Sequence, residues 1–329
     1  MADVYPLQDT DNNKFYMAPF SLGLSIGNIM KMLTISLSTG LNLFLGKAKQ
    51  TVSVTVVSLL LLASATASAT PITGLHVFGD SLSDSGALTF LSPANCPPVP
   101  YSGCRFSNGP VWAELLAADL GLSAATAYGG GTNYAIGGQR TDNVLNGQVP
   151  LFMASNGGVA DPDALYVIWA GPNDFYQGFA NPTEAVDNII DSILGLSTAG
   201  AVDFLIPNVP IANLWAFEFN SRLAIGLDAL DAGGLNITQF DVFNTFLDIT
   251  LNPGDYGLTN VTDSCLTSTS LCANPDEYLL WDTVHPTAIG HQIIAAAALA
   301  ALSVSEPAIL AIFGIGLVGL VRLRRKNIA

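Results

Sequence analysis

Two segments near opposite ends of the chain combine residue types suited to nucleophilic catalysis. Residues 79–86 read G-D-S-L-S-D-S-G after an apolar run, and residues 281–286 read W-D-T-V-H-P. A serine where a parallel strand gives way to a helix lies at the edge where α/β folds bind ligands, in the field of the helix N-terminus. An aspartate three residues before a histidine in a loop can accept its Nδ1–H and leave Nε2 facing outward. Ser81, His285 and Asp282 could therefore act as nucleophile, base and orienting carboxylate.

Each segment also has a plainer interpretation. The octapeptide could be a strand-to-helix turn with a capping Asp or Ser, and it is not the G-x-S-x-G elbow of α/β-hydrolases. The chain has three histidines. His76 lies within a predicted strand and suits a packed position, and His291 lies on the predicted last helix. Because neither has a carboxylate placed as Asp282 is, we expect His285 to be the base.

Two further blocks could supply hydrogen-bond donors to a developing oxyanion. Residues 133–138 read N-Y-A-I-G-G, and residues 171–174 read G-P-N-D. Glycine lets a backbone N–H approach a ligand closely, and an asparagine side chain at a strand end supplies an amide donor. Each block alone is an ordinary strand-end turn, whereas the four blocks in this order suggest one site.

The elements that must position these blocks alternate between strand-like apolar runs and helical patterns. Such alternation is typical of a parallel sheet covered by helices on both faces, and therefore of the α/β class. The predicted strands are residues 75–78, 133–136, 164–169, 203–206 and 236–240, and the predicted helices are residues 111–120, 182–196, 217–230 and 286–302.

These blocks together resemble the GDSL, or SGNH, hydrolase family of lipase and esterase type, over residues 74–302. The resemblance implies a flavodoxin-like, three-layer α/β/α sandwich with a mostly parallel sheet. It also implies that Ser81 is the nucleophile and that His285 and Asp282 complete the triad. One departure is Pro172, where the family often has alanine; the proline stiffens the turn and removes no catalytic group.

The same resemblance implies three oxyanion donors. They are the backbone N–H of Ser81, the backbone N–H of Gly138 and the side-chain amide of Asn173. Since two glycines are adjacent, Gly137 is the alternative to Gly138.

The predicted function is hydrolysis of carboxylic esters through a Ser81 acyl-enzyme, with an acylated lipid or polysaccharide as substrate. No cofactor or metal is expected, since no His/Cys/Asp cluster has ligand spacing and no G-x-x-x-x-G-K phosphate loop occurs. An acyltransferase or a polysaccharide O-deacetylase with the same triad is the first alternative. A surface-binding protein with an inactive site is the second.

Residues 1–69 are predicted to be a leader that ends in a secretory signal peptide. Lys47 and Lys49 precede an apolar run at residues 52–62, and A-S-A at residues 67–69 suits cleavage before Thr70. The stretch before this run is long for a signal peptide. We therefore expect either translation from an internal methionine or a cytoplasmic extension.

Residues 305–329 resemble the PEP-CTERM sorting signal of Gram-negative bacteria. Glu306-Pro307 precedes a short apolar span at residues 308–321, and a basic cluster follows at residues 322–326. Ser305 stands where the signal usually has proline. The resemblance implies a transient membrane anchor with its basic end in the cytoplasm, removed by an exosortase, and so a cell-surface or extracellular protein. A buried amphipathic helix is the alternative.

Residues 70–304 are therefore the predicted hydrolase domain. This domain contains many more acidic than basic residues. The whole chain has a net charge of −15, yet Arg105, Arg140 and Arg222 are the only basic residues of the domain. Such a surface repels nucleic acid and anionic lipid, so no nucleic-acid partner is expected.

The four cysteines fall into two close pairs within the same domain. An exported protein meets an oxidising compartment, which favours the local bridges Cys96–Cys104 and Cys265–Cys272 among the three possible connectivities.

Overall fold

A computed structural model describes residues 71–179 and 181–304. The predicted signal peptide and sorting segment lie outside the described residues. Among the residues that are described, no helix is long and apolar enough to span a bilayer.

The predicted parallel sheet is confirmed, with neighbouring strands in the order β1-β2-β3-β4. Its strands are β1 Leu75–Gly79, β2 Leu165–Trp169, β3 Asp203–Pro207 and β4 Asn236–Phe240. A separate pair is formed by β5 Asn260–Ser264 and β6 Tyr278–Leu280, which the apolar pattern did not predict.

The predicted strand at residues 133–136 is wrong as a regular element, although the segment lies beside β1. Asn133 forms a parallel bridge with Val77, and the N–H of Tyr134 donates to the Val77 carbonyl at 2.7 Å. The N–H of Ile136 also donates to the Gly79 carbonyl at 3.2 Å, but the N–H of Gly79 donates to the Gln148 side chain instead of to this segment, so the pairing stops after one bridge. If this segment is counted as a strand, it lies on one side of β1 and β2 to β4 follow on the other side. This is the strand order of flavodoxin-like sheets, in which the order of strand addition reverses at the first strand.

Nine α-helices lie in the part of the chain that the structure describes, and a π-helical turn at Val144–Gln148 joins the third to the fourth. They are α1 Leu88–Leu91, α2 Trp112–Asp119, α3 Thr141–Asn143, α4 Val149–Ser155, α5 Pro172–Tyr176, α6 Pro182–Thr198, α7 Leu214–Ala232, α8 Val242–Leu251 and α9 Ala288–Val304.

Helices cover both faces of the sheet, which gives three layers. On one face Phe78 and Ile168 belong to a core that includes buried residues of α4, α6 and α7. On the other face Val77 and Trp169 pack in a core with buried residues of α2 and α9. The alternation along each strand sends successive side chains to opposite cores, so the sheet is buried on both sides.

Two helices begin at residues other than those predicted. Helix α7 begins at Leu214, earlier than predicted, because the Asn213 side chain accepts the N–H of Ala216 at 2.8 Å. Helix α9 begins at Ala288, later than predicted, because Pro286 still forms an antiparallel bridge with Leu280.

Both predicted disulfides are present. Cys96 is bonded to Cys104, and Cys265 is bonded to Cys272. The first closes a loop between α1 and α2. The second closes a short antiparallel turn within the connection between the parallel strands β5 and β6.

Candidate active site

Ser81 lies just beyond the carboxyl end of β1, in a tight turn. The carboxyl group of Asp80 accepts the N–H of Leu82 at 3.0 Å, and the Asp80 carbonyl accepts the N–H of Ser83 at 3.1 Å. Gly79 enters the turn at φ +154°, where an added Cβ would lie 2.2 Å from the carbonyl oxygen of Trp169. The close approach of β2 therefore requires glycine at this position.

The structure brings Ser81, His285 and Asp282 into one hydrogen-bonded chain. The Nε2 atom of His285 lies 2.8 Å from Ser81 Oγ. Its Nδ1 atom lies 2.8 Å from Asp282 Oδ2 and 2.9 Å from Oδ1. This is the arrangement that a serine nucleophile, a base and an orienting carboxylate require.

The Asp282 carboxylate is held from several sides. Besides His285 Nδ1, it accepts the backbone N–H groups of Val284 and His285, both at 2.9 Å, and the hydroxyl of Tyr101 at 2.7 Å. Burial alone would raise the pKa of Asp282, but these donors, His285 foremost, hold it below its usual value. Asp282 is therefore ionised near neutral pH and can stabilise the protonated imidazole of His285.

The two glycines at residues 137 and 138 have different partners. The N–H of Gly137 donates to Asp84 Oδ2 at 2.8 Å. The N–H of Gly138 has no acceptor within the described residues, nor has that of Ser81. Gly138 and Ser81 also line the same cavity. The geometry thus leaves two backbone donors, those of Ser81 and Gly138, available to a ligand.

The side chain of Asn173 reaches the site from the end of β2, which lies on the opposite side of β1 from residues 133–136. It follows β2 on the first turn of α5, and its Nδ2 donates to the Gln139 carbonyl at 3.0 Å and contacts Asp80 Oδ2 at 3.3 Å. Because β1 lies between β2 and the segment at residues 133–136, their ends place Asn173 and Gly138 in the lining of the Ser81 cavity.

The Asp80 carboxyl is fully buried beside these donors. Burial raises its pKa to about 7, although the N–H of Leu82, the charge of His285 and the Asn173 amide act in the opposite direction. Its neutral form is therefore well populated near neutral pH, which lessens the repulsion that a fixed negative charge would exert on a nearby oxyanion.

The other two histidines lie away from the Ser81 cavity. His291 is fully buried, its Nδ1 accepts the N–H of Trp112 at 3.2 Å, and burial lowers its pKa to about 3. His76 stacks on Tyr166, and burial lowers its pKa as well. Both are packed, neutral side chains.

A cavity of about 360 Å³ lies in front of Ser81. Its volume is typical of small-molecule sites. Most of its lining is apolar and comes from several separate parts of the chain, including Trp169, Ile211, Phe246, Leu279 and Leu280. A hydrocarbon chain attached to a carbonyl at Ser81 would be buried against these side chains.

Several supporting residues were not identified from the sequence. Buried Gln148 accepts the N–H of Gly79 at 2.8 Å and donates to its carbonyl at 2.7 Å, which fixes the end of β1. Asp84 accepts three N–H groups, and Tyr101 reaches Asp282. The second Asp of the 79–86 segment was a visible signal for Asp84, whereas nothing in the spacing pointed to Gln148 or Tyr101.

No group of three or more metal-ligating side chains occurs in the portion of the chain that is described.

Comparison with known proteins identifies two regions. The family model described as GDSL-like lipase/acylhydrolase matches residues 75–298, and the model of the PEP-CTERM protein-sorting motif matches residues 303–326.

Among curated proteins, the chain is similar to Lipase 1 of Photorhabdus luminescens, with 33% identity over 45% of this chain and 24% of that protein. It is 28% identical to the esterase EstA of Pseudomonas aeruginosa, over 70% of this chain and 46% of that protein. It is 27% identical to the phosphatidylcholine-sterol acyltransferase of Aeromonas hydrophila, over 57% of this chain and 64% of that protein. The chain thus spans less than two thirds of the length of each of these relatives.

Proposed function

The chain belongs to the GDSL-like lipase/acylhydrolase family, and we propose that it hydrolyses carboxylic esters with Ser81 as the nucleophile. The observation that carries the proposal is the unbroken chain of hydrogen bonds from Ser81 Oγ through the His285 imidazole to the Asp282 carboxylate. A serine hydroxyl is a weak nucleophile near neutral pH unless an adjacent base takes its proton.

In the proposed reaction, Ser81 Oγ attacks the ester carbonyl while its proton passes to Nε2 of His285. Asp282 keeps the imidazole in the required tautomer and stabilises its charged form. The intermediate collapses to a Ser81 acyl-enzyme as the alcohol leaves with the proton from His285. Water then attacks the acyl group by the same route and releases the acid.

The tetrahedral intermediate carries a negative oxygen, and we assign three donors to it. They are the N–H groups of Ser81 and Gly138 and the side-chain amide of Asn173. Support for the two backbone donors comes from the lack of any described acceptor for their N–H groups, and from the occupation of the Gly137 N–H by Asp84. The Asn173 amide donates to the Gln139 carbonyl and to Asp80, and in the proposed reaction it exchanges one of these hydrogen bonds for one to the oxyanion. Each such donor contributes roughly 3–4 kcal/mol to transition-state stabilisation.

The proposed substrate is an ester with a hydrocarbon acyl chain. The apolar lining of the cavity supports a chain longer than acetyl, and so favours a lipid-like ester over an O-acetylated polysaccharide. Rates with p-nitrophenyl esters of increasing chain length would test this, since a rate highest for acetate would contradict it.

The decisive experiment is labelling and turnover with the purified protein. A fluorophosphonate should modify Ser81, as located by peptide mass mapping, and Ser81→Ala should abolish both labelling and ester turnover. Turnover that persists in Ser81→Ala would refute the assignment, and so would a protein with no turnover of any ester or thioester tested.

Acyl transfer is a second candidate, because one similar protein is named a phosphatidylcholine-sterol acyltransferase. The Ser81 acyl-enzyme would then pass its acyl group to an alcohol instead of water. Product analysis in the presence of an alcohol acceptor separates the two activities, since transfer yields a new ester and hydrolysis yields only the free acid.

The protein is also proposed to be exported and sorted. The PEP-CTERM motif at residues 303–326 supports passage through the inner membrane and removal of the tail by an exosortase. A signal peptide that ends at residue 69 would begin this route. Intact mass of the protein from its native host tests both cleavages, and a mature species that still ends at Ala329 would contradict the sorting step.

A further inference from the structure

Asp282 receives one hydrogen bond from a distant part of the chain. The hydroxyl of Tyr101 donates to Asp282 Oδ2 at 2.7 Å, across 181 residues of sequence. The other donors to this carboxylate, Val284 and His285, belong to its own loop. Within the described residues, Tyr101 is thus the link that ties the Asp282 carboxylate to the rest of the domain.

The position of Tyr101 is itself well determined. It lies in the loop closed by the Cys96–Cys104 disulfide, and its N–H donates to the Pro98 carbonyl at 3.1 Å. Its ring packs edge-on against Trp281, with the ring centres 5.9 Å apart. The phenol is therefore directed at Asp282 by a covalently closed loop and by the neighbour of Asp282 in sequence.

The same region of the chain also contacts the far side of the His285 loop. The hydroxyl of Ser107 donates to the Pro286 carbonyl at 3.0 Å, and Asn108 Oδ1 accepts the N–H of Ala288 at 2.7 Å. Residues 101–108 thus hold the histidine loop at both ends, and only Tyr101 reaches its catalytic carboxylate.

We propose that Tyr101 is a positioning residue that orients Asp282 toward Nδ1 of His285. This inference rests on the proposed function, because it assigns Tyr101 a part in the same site. A hydroxyl that donates to an ionised carboxylate is a strong, directional contact. It holds Oδ2, the oxygen that lies 2.8 Å from Nδ1 of His285, and it adds to the larger effect of His285 in lowering the pKa of Asp282.

Tyr101→Phe tests the proposal, since it removes the hydroxyl and keeps the ring against Trp281. We expect kcat for a p-nitrophenyl ester to fall about tenfold, with KM within about twofold of the wild-type value, because orientation of the base affects the transition state more than substrate binding. We also expect the titration midpoint of the Asp282 carboxyl, measured by carbon-13 NMR and assigned with Asp282→Asn, to move upward.

Tyr166→Phe is the matched control, because the Tyr166 hydroxyl donates to the Asp161 carbonyl at 3.0 Å, remote from the site. It should leave kcat and the Asp282 midpoint unchanged. An unchanged kcat in Tyr101→Phe, an equal loss in Tyr166→Phe, or a loss without movement of the Asp282 midpoint would overturn the proposal. If the wild-type protein turns over no ester, the proposed function fails, and the Asp282 midpoint alone then decides whether Tyr101 controls that carboxylate.

Discussion

The side chain of Asp84 accepts the N–H of Gly137 at 2.8 Å, whereas the next N–H, that of Gly138, has no acceptor within the described residues and belongs to a residue that lines the cavity in front of Ser81. Asp84 also accepts the N–H groups of Gly86 and Ala87 through its other oxygen. One buried carboxyl group therefore joins the turn that carries Ser81 to the segment that carries Gly138.

Asp84→Asn should impair catalysis more than folding. Its amide can keep the oxygen that faces Gly86 and Ala87, but it places an NH₂ group against the N–H of Gly137. That contact changes from attractive to repulsive, so the Gly138 peptide should shift. We expect kcat to fall by about tenfold or more while KM changes little, as for a lost transition-state donor. Steady-state kinetics with a p-nitrophenyl ester measures this.

The control for this variant is Asp161→Asn, because Asp161 is also a hydrogen-bonded aspartate but lies on the surface and binds Thr73. It should retain wild-type kinetics. Equal kinetics in Asp84→Asn and the wild type would show that Asp84 does not position Gly138.

Asn173→Ala should lower kcat by roughly a hundred- to a thousandfold with little change in KM, which is the usual effect of removing one oxyanion donor. The side chain lies beside Asp80 and Gln139, so its loss also leaves the Gln139 carbonyl without that donor. Asn181→Ala, which removes only a cap of α6, should reduce stability by about 1 kcal/mol and leave kcat intact. Similar kinetics in the two variants would refute the oxyanion role of Asn173.

Substitutions of His285 and of His291 should have very different effects on ester turnover. His285→Ala should reduce ester turnover almost as severely as Ser81→Ala, because Ser81 would lose its base. His291→Gln should leave kcat nearly intact, since His291 is buried, neutral and directed at the N–H of Trp112. Its thermal midpoint should fall, since the substitution disturbs a buried site. Loss of turnover in a folded His291 variant, with retention in the His285 variant, would show the triad to be wrong.

The stabilising contribution of Asp80 should rise as the pH falls from about 7 toward 5, whereas His76 and His291, whose folded-state pKa values are lowered by burial, act in the opposite direction over the same range. Burial raises the pKa of Asp80 from 3.8 to about 7, and it raises the pKa values of Asp84 and Asp174 as well. A carboxyl whose folded-state pKa is raised binds its proton more tightly in the native state, so its stabilising contribution is complete below pH 3.8 and is lost as the pH rises through the folded-state value. Urea titrations between pH 5 and 8 measure the slope.

The difference in unfolding free energy between the wild-type protein and Asp80→Asn isolates this contribution and should shift in favour of the wild type as the pH falls, because a neutral amide has no proton to bind or lose. Glu218→Gln is a suitable control, since Glu218 pairs with Arg222 on the surface of α7 and should leave the slope unchanged. Equal slopes for the wild-type protein and Asp80→Asn would contradict the prediction.

Loss of the Cys96–Cys104 disulfide should lower both activity and stability. This disulfide closes the loop that carries Tyr101, so the paired Cys96→Ser and Cys104→Ser substitutions should reduce kcat about as much as Tyr101→Phe does. The closed loop is short, so we expect the free energy of unfolding to fall by about 2–3 kcal/mol. Combining both serine substitutions with Tyr101→Phe should cause little further loss of kcat, whereas additive losses would separate the disulfide from Tyr101.

Peptide mapping without reduction tests both disulfides directly. Cys96–Cys104 and Cys265–Cys272 links are expected. Free thiols in the exported protein, or a Cys96–Cys272 link, would contradict this pairing.

The sequence was sufficient to predict the class of fold and the residue types of the site. The runs that form β1 to β3 are mostly apolar because the sheet is buried on both faces there, so their positions are readable without any tertiary information. The spacing of Asp282 and His285 is local, and three intervening peptide bonds suffice to bring the carboxylate to Nδ1. For the same reason the two short-range disulfides were predictable from the order of the cysteines.

The sequence was less informative about where strands and helices begin and end, because side-chain hydrogen bonds to the backbone compete with regular structure. Residues 133–136 have a strand-like composition, yet their pairing with β1 stops after one bridge because the N–H of Gly79 donates to the Gln148 side chain. Helix α7 begins at Leu214, earlier than predicted, because Asn213 caps it. A side chain that satisfies backbone groups can shift an element boundary without changing the apolar pattern.

Only the tertiary structure decided which backbone donors are left without an acceptor within the described residues, and what holds the Asp282 carboxylate. Gly137 and Gly138 are the same residue type, and the contact of the first with Asp84 distinguishes them. Tyr101 and Asp282 are far apart in sequence, and their hydrogen bond depends on how a disulfide-closed loop packs against Trp281. Composition and periodicity report how each segment is buried, but a contact between distant segments is determined by the packing of the whole domain, which no local pattern encodes.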